Sequence, residues 1–538
     1  MSSNTNHLFV LSISTILISY VFLAPDLIRF SHANPVIPVD VCDKAHDPLS
    51  CVIHISEAVA DNKEHDGLSL LKSFVIKSLP KMRMAMEAAP DTSRSIQINN
   101  HKDAGLADCM HLMDLSIDRA NSTLAALTNW GTQSDLENAH TWLSGILTNH
   151  FTCLDGLANN TIQQSSMKEL VQDLIPRTRT SLALLVSLLA PDHKDVLQPL
   201  SSGFPSWISG RDQRLLKNPP RNIKLNAVVG RDGCGNYRTI QEAVDSAPDN
   251  CKSRYVIYVK RGVYHEHVIV GKRKKNVMIV GDGMHSTIIT GSLNVVDGTS
   301  TFDCATLTAE GDGFILRDVW VRNTAGPEKH QAVALRVSAD KSVIHRCQID
   351  AYEDTLYTHR DRQFYRDCLI KGTVDFIFGD AAVVLQNCII VAKRPMDNQQ
   401  NMITAQGRVD PYQNSGISIQ FCDIIPSSDL EPVQFVIPSY LGRPWKEYSR
   451  TVVMQSYIDD HIDPAGWDRW NHEDFALTTL YYGEFANRGP GAGTSKRVNW
   501  PGYHVITDPY EAGKFTVTEL IQGDLWLSST GVPYNEGL

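Results

Sequence analysis

Basic residues are in short supply: 50 Lys and Arg stand against 60 Asp and Glu, a formal net charge of −10. The two signs are mixed along the chain, so it carries neither the cationic footprint of a nucleic-acid binder nor a polybasic membrane patch. The one basic run, Lys272 to Lys275, reads as a solvated turn between strands. The pentapeptide G-x-S-x-G is missing, which argues against the nucleophile elbow of ordinary serine esterases. None of the 11 cysteines stands in a C-x-x-C pair, so they read as staples rather than zinc ligands. His265 and His267 would face one side of a strand, but a third ligand is lacking, and they read as strand histidines rather than a metal site.

What is present divides the 538 residues into unlike parts. Residues 1–33 read as a secretory signal peptide or a signal anchor, with an apolar stretch from Leu8 to Leu23 ahead of Ser31 and Ala33; no later stretch is apolar enough to span a bilayer. The cysteines and two Asn-x-Ser/Thr acceptors, Asn121 and Asn159, suit an oxidising, glycosylating route to the outside. Residues 34–200 are expected to form a helical bundle, since Leu106, Met110, Met113, Ile117, Leu124 and Leu127 recur at helical spacing. Cys42 and Cys51 flank Pro48 at a helix-turn, and Cys109 and Cys153 fall on separate long helices; Cys42–Cys51 and Cys109–Cys153 are the pairs that suit this layout, although spacing alone does not fix them. Residues 201–222, broken by Gly, Pro and Ser, are expected to be a linker, with Arg214-Leu215-Leu216 as a candidate cut for a processing protease.

From residue 223 to 538 the pattern changes to short β-branched runs such as RYVIYVK (254–260) and AVALRV (332–337), punctuated by Gly, Asn and Asp. The strings RCQID, DCLIK, NCIIV and FCDII repeat around Cys347, Cys368, Cys388 and Cys422. A constant local pattern at uneven spacing is the signature of a solenoid with variable loops, here a parallel β-helix with about 20 to 25 residues per coil. Cys368 and Cys388, one coil apart, are bridge candidates; Cys347 and Cys422 compete as partners, and an unbridged ladder of thiols is the alternative. Asp354 and Asp375 follow Cys347 and Cys368 by the same seven residues, so both carboxylates are expected in one groove, about 4.8 Å apart along the stack. Acids that close do not both ionise easily, which suits one to acid/base work and the other to attack as a nucleophile.

Four strings then carry a resemblance: GPEKHQAVALR (326–336), YEDTLY (352–357), GTVDFIFGD (372–380) and LGRPW (441–445). Together they resemble the plant pectin methylesterases (pectinesterases), over roughly residues 223–538. VCDKAHDPLSC (41–51), ADCMHLMDLSIDRA (107–120) and WLSGILTNHFTCLDGL (142–157) make the first half similar to the pectin methylesterase inhibitor domain. The resemblance implies a right-handed parallel β-helix catalytic domain preceded by an all-α, four-helix-bundle inhibitor-like pro-region. It further implies a secreted, monomeric aspartyl esterase of the cell wall that needs no cofactor, acts on methyl-esterified homogalacturonan and is restrained by its own pro-region. By the same resemblance Asp375 is the nucleophile, Asp354 the proton donor and later base, Arg443 the residue orienting Asp375, Gln331 an oxyanion donor, and Thr301 and Trp445 substrate contacts. Phe376, Phe378 and Trp467 are left open between groove floor and core. Three positions depart from the family's usual pattern: Glu353 replaces Gln beside the acid/base aspartate, Asp380 replaces Asn, and Gln213 replaces the first basic residue of the processing tetrad. A charged Glu353 would oppose a developing oxyanion whereas a protonated one could donate to it, so turnover is expected to be impaired or acid-shifted, with a catalytically silent pectin-binding protein as the alternative. A glycosidase or lyase reading fares worse, because the acid pair is linked to an arginine and an oxyanion donor rather than flanking a sugar linkage.

Overall fold

The computed structural model describes residues 41–43, 45–61, 66–87, 104–157, 162–189 and 225–538. The expected signal segment 1–33, the linker 201–222 with its Arg214 site, and Asn159 lie outside the described residues.

Helices α1 (Pro48–Asp61), α2 (Gly67–Glu87), α3 (Ala104–Thr128), α4 (Gln133–Gly156) and α5 (Ile162–Leu189) make up the first half. The four long helices bury Leu71, Leu112, Met113, Leu147, Leu182 and Leu185 in a shared core, as the 3.6-residue period of their apolar positions demands. Cys42–Cys51 ties the segment just before α1 to that helix, and Cys109–Cys153 clamps α3 to α4 with Cα atoms 4.6 Å apart. Among the described residues no helix is long and apolar enough to cross a membrane.

The second half winds into three parallel sheets of 11, 7 and 8 strands, a parallel β-helix. The corner between the 11-stranded and 8-stranded sheets is turned by single residues with left-handed backbone, Asp318, Arg346, Asp367, Asn387, Phe421 and Gln455, at φ between 51 and 57°. Asp and Asn accept this conformation readily; Arg346, Phe421 and Gln455 are held in it by the coils stacked on either side. The residue after each of four of these corners is a buried cysteine: Cys347, Cys368, Cys388 and Cys422. All four are free thiols, so the Cys368–Cys388 bridge considered from the sequence is not formed. In register on neighbouring coils, side chains run parallel with Cβ atoms about 4.8 Å apart, wider than the ~3.8 Å a disulfide spans. The thiols fill core space instead.

The helical half lies on the 7-stranded sheet. One apolar cluster runs from the helix core into Phe302, Cys304, Ala305, Val333, Tyr357, Phe378 and Val409 of the β-helix. Polar contacts lock the fit: Arg119 of α3 bonds both Asp312 and Asp361, Thr148 of α4 donates to Asp380 at 2.6 Å, and Lys446 pairs with Asp155 at 2.8 Å. Gly145 of α4 permits the close approach, since a Cβ there would come within 2.6 Å of Asp361 Oδ1. The basic run is no mere solvated turn: Lys272 reaches Asp114 and Asp118 of α3 at 2.8 and 2.9 Å and pins the two halves together.

Candidate active site

Asp354 and Asp375 occupy equivalent corners of successive coils, each between a strand of the 8-stranded sheet and one of the 7-stranded sheet. The following strands, Leu356–Thr358 and Ile377–Gly379, pair with Leu356 opposite Ile377, and the Asp354 amide donates to Val374 O at 3.0 Å. That register puts the two aspartates one strand spacing apart on the same edge. Both have left-handed backbone, at φ 63° and 50°, a conformation that Asp tolerates where most residues do not. Arg443, just past the strand Ser439–Gly442 two coils further on, reaches back and grips Asp375 with both arms: Nε to Oδ1 at 2.8 Å and Nη2 to Oδ2 at 2.7 Å. Its guanidinium lies 4.5 Å from the centre of the Trp470 ring, which restricts its swing.

Burial pushes both carboxyls above the usual carboxylate range, but not equally. For Asp375, the two hydrogen bonds and the charge of Arg443 oppose burial. Asp354 has burial plus the neighbouring Asp375 and Glu353 against its charge, is relieved only by the more distant Arg443 charge, and is held well above its ordinary value. The first proton to leave therefore leaves Asp375, giving a carboxylate beside a carboxylic acid.

Beside this pair, Gln331 Nε2 donates to Glu353 Oε1 at 2.9 Å, His330 Nδ1 lies 3.4 Å from Glu353 Oε2, and Gln399 Nε2 lies 3.5 Å from the same oxygen. Burial raises the Glu353 carboxyl, and Asp375 adds to this while His330 and Arg443 act against it. Tyr357 and Phe378 stack with ring centres 4.2 Å apart, and Trp445 meets Phe378 edge-on at 5.9 Å. Trp445 also packs on Gly407, where a Cβ would come within 2.8 Å of the indole. This aromatic row is the surface on which the helical half packs. Thr301 sits in the turn before the buried Cys304, whose thiol faces Thr301 O. Of the aromatics left open, Phe376 is fully inside the β-helix core and Trp467 stacks on Tyr482 there, while Phe378 alone joins the row beside the site.

Asp380 is buried where the halves meet, taking hydrogen bonds from Thr148, Gln413, Gln406 and Ser415; burial lifts its carboxyl to about 6 against those bonds. His265 ends a strand of the 8-stranded sheet and is exposed, whereas His267 falls past the corner before the 7-stranded sheet, with its buried Nε2 unpartnered. The two rings do not share a face as their spacing suggested, because the chain turns between them. Tyr357, Gln399 and Trp470 were not singled out from the sequence. Tyr357 lies inside the YEDTLY string and was open to notice; Gln399 and Trp470 sit in long loops with no local signal.

A stacked-coil scaffold carrying a carboxyl pair and an arginine clamp under a helical cover defines a class of solenoid hydrolase-like sites, and similarity to known proteins narrows it. Residues 226–524 match the family described as "Pectinesterase", and residues 37–184 match "Plant invertase/pectin methylesterase inhibitor". The chain is 55% identical to Pectinesterase 2.1 of Solanum lycopersicum over 520 residues, 96% of this chain and 92% of that one. It is 51% identical to Pectinesterase/pectinesterase inhibitor 18 of Arabidopsis thaliana over 544 residues, covering 99% and 97%. A solved pectin methylesterase from carrot superposes with a TM-score of 0.58 and 58% identity, covering 59% of this chain and 99% of that chain. The chain belongs to the pectinesterase family.

Proposed function

We propose that this protein hydrolyses the methyl esters of cell-wall homogalacturonan, releasing methanol and leaving pectate. The in-register Asp354–Asp375 pair with Arg443 clamped on Asp375 carries the reading. Ionised Asp375 attacks the carbonyl carbon of a methyl galacturonate, and the oxyanion that forms takes a hydrogen bond from Gln331. As the tetrahedral centre collapses, the C–O bond to the methoxy group breaks and Asp354 gives its proton to the departing oxygen, so methanol leaves and an acyl-enzyme anhydride remains. Asp354, now a base, takes a proton from water; the hydroxide attacks the sugar's acyl carbon and Asp375 departs as a carboxylate. Arg443 holds the attacking oxygens in one plane through two charge-assisted bonds. Trp445, with Phe378 and Tyr357 behind it, offers apolar faces for sugar rings, and Thr301 is read as a further contact.

The chain is read as a signal segment 1–33, a pro-region 34–200, a linker 201–222 cut near Arg214, and a catalytic β-helix 223–538. Secretion to the wall accords with the two disulfides and with Asn121, exposed on α3 and open to a glycan. Because the helical half packs on the aromatic row, it is read as restraining its own catalytic half until the linker is cut. Methanol release from methylated pectin by the 223–538 segment tests this, with Asp375→Ala as control. The carrot protein, nearly all of which is matched by 59% of this chain, is precedent for such a structure with no helical half in the same chain. The segment is expected to release methanol, the control at least about 10³-fold less, and the full chain little. Binding of pectin without methanol at any pH would instead make the protein a silent binder.

A further inference from the structure

In a site that already holds Asp354 and Asp375, a third acid needs an account. Glu353 is mostly buried, with 12% of its side chain exposed, while the His330 ring facing it is 51% exposed and open to proton exchange with solvent. His330 is set in this position at a cost: its backbone has φ 54° and ψ −135°, a combination that side chains other than glycine seldom adopt. A three-residue turn, Pro327–Lys329, delivers it, and its amide is fixed by Pro327 O at 3.2 Å.

We infer that His330 and Glu353, with Nδ1 and Oε2 3.4 Å apart, work as one proton-sharing pair that keeps the oxyanion side of the site electrically neutral while it holds a single proton. This rests on the proposed role of Gln331 as the oxyanion donor. With one proton between them the pair has no net charge, whether the proton sits on the imidazole or on the carboxyl, and so is electrically equivalent to an uncharged amide at position 353. Loss of that proton leaves a negative charge beside the atom that must itself become negative in the transition state. In both one-proton forms Glu353 Oε1 accepts from Gln331 Nε2, which leaves the second N–H of that amide free to point at substrate. The other charges facing the pair are Asp354, Asp375 and Arg443; Asp375 and Arg443 neutralise each other through two hydrogen bonds, and burial with its acidic neighbours favours the neutral form of Asp354. Lys329, next to His330, is engaged with Asp297. His330 touches no reacting atom in this scheme and is a positioning residue.

The test is the pH profile of kcat for methanol release by the 223–538 segment, in wild type and in His330→Gln, His330→Lys, Glu353→Gln and the double variant His330→Gln/Glu353→Gln, each checked for folding by its melting curve. Wild type should lose activity on the alkaline side as the pair gives up its proton, at lower pH than the limb that loss of the Asp354 proton sets in every variant. Removing the imidazole should move the pair's limb to lower pH by about one unit or more, since Glu353 then loses its proton unaided. A lysine, which keeps its charge, should move the limb to higher pH. Glu353→Gln should remove this limb and leave only the one set by Asp354, and adding His330→Gln to it should leave that remaining limb unchanged. If His330→Gln lowers kcat by one factor at every pH and in both backgrounds, or if Glu353→Gln leaves the alkaline limb where it stands in wild type, the pairing is wrong. Activity persisting in Asp375→Ala would instead overturn the proposed mechanism, so the two failures are separable.

Discussion

Asp354 is held as an acid reluctant to release its proton, and that has a consequence for stability. In the folded protein burial, Asp375 and Glu353 raise its carboxyl well above the ordinary range, so the folded chain binds the proton more tightly than the unfolded chain does. The stabilisation this brings is complete below about pH 4, where both states are protonated, and is lost as pH rises through the raised folded value. Asp354→Asn keeps the shape and removes the titration. Its melting temperature should exceed that of wild type at pH 7, with the gap closing toward pH 4, while methanol release falls about 10²- to 10⁴-fold. A gap of constant size across this range would show that Asp354 is not the protonated member of the pair. On the proposed mechanism activity and stability thus pull against each other at one residue, a common compromise at catalytic sites.

At the level of elements, the two halves are held together by different means. The helices depend on cross-links: Cys109–Cys153 joins α3 to α4 across a sequence separation of 44, worth about 4 kcal/mol on a loop-closure argument. Among the described residues the β-helix has no disulfide; Cys234 is exposed and Cys251 partly so, while the core cysteines are buried thiols, which burial favours in the protonated form at Cys347 and Cys368. Stacked hydrogen bonding and a continuous Ile, Val and Leu core serve it instead. Reduction with a thiol should therefore lower the melting transition of the helical half by several degrees and leave that of the β-helix in place, as read by calorimetry on the full chain. A β-helix transition that fell with it would mean that the sheets rely on the cover for their stability. The four cysteine strings made the coils legible, but their pairing was not, since bridge or ladder turns on side-chain direction within a coil.

For the molecule as a whole, the helical half packs on the row from Tyr357 through Phe378 to Trp445, and on the proposed function a pectin chain competes with it for that surface. Docking requires α4 to come down on Asp361, which Gly145 allows. Gly145→Leu should wedge the halves apart without touching any residue of the site. Full-length protein carrying it should release methanol at a rate approaching that of the 223–538 segment, and the same segment, lacking residue 145, provides the ceiling. If the variant stays as quiet as wild-type full chain while its helices remain folded, the cover is not what restrains the enzyme.

The sequence by itself determined the two-part organisation, the stacked coils and the acid pair, because each is written as a local period: apolar residues at helical spacing, cysteine strings at coil spacing, and two aspartates at a fixed offset from two of those cysteines. Tertiary structure alone decided what depends on residues far apart in the chain. Arg443 had to cross a coil to reach Asp375, Trp470 to come under that guanidinium, His330 to turn toward Glu353, and Lys272 to find α3. The reason is physical: a period constrains neighbours along the chain, whereas these contacts are set by where loops of unequal length return to a common face, and no local pattern encodes that return.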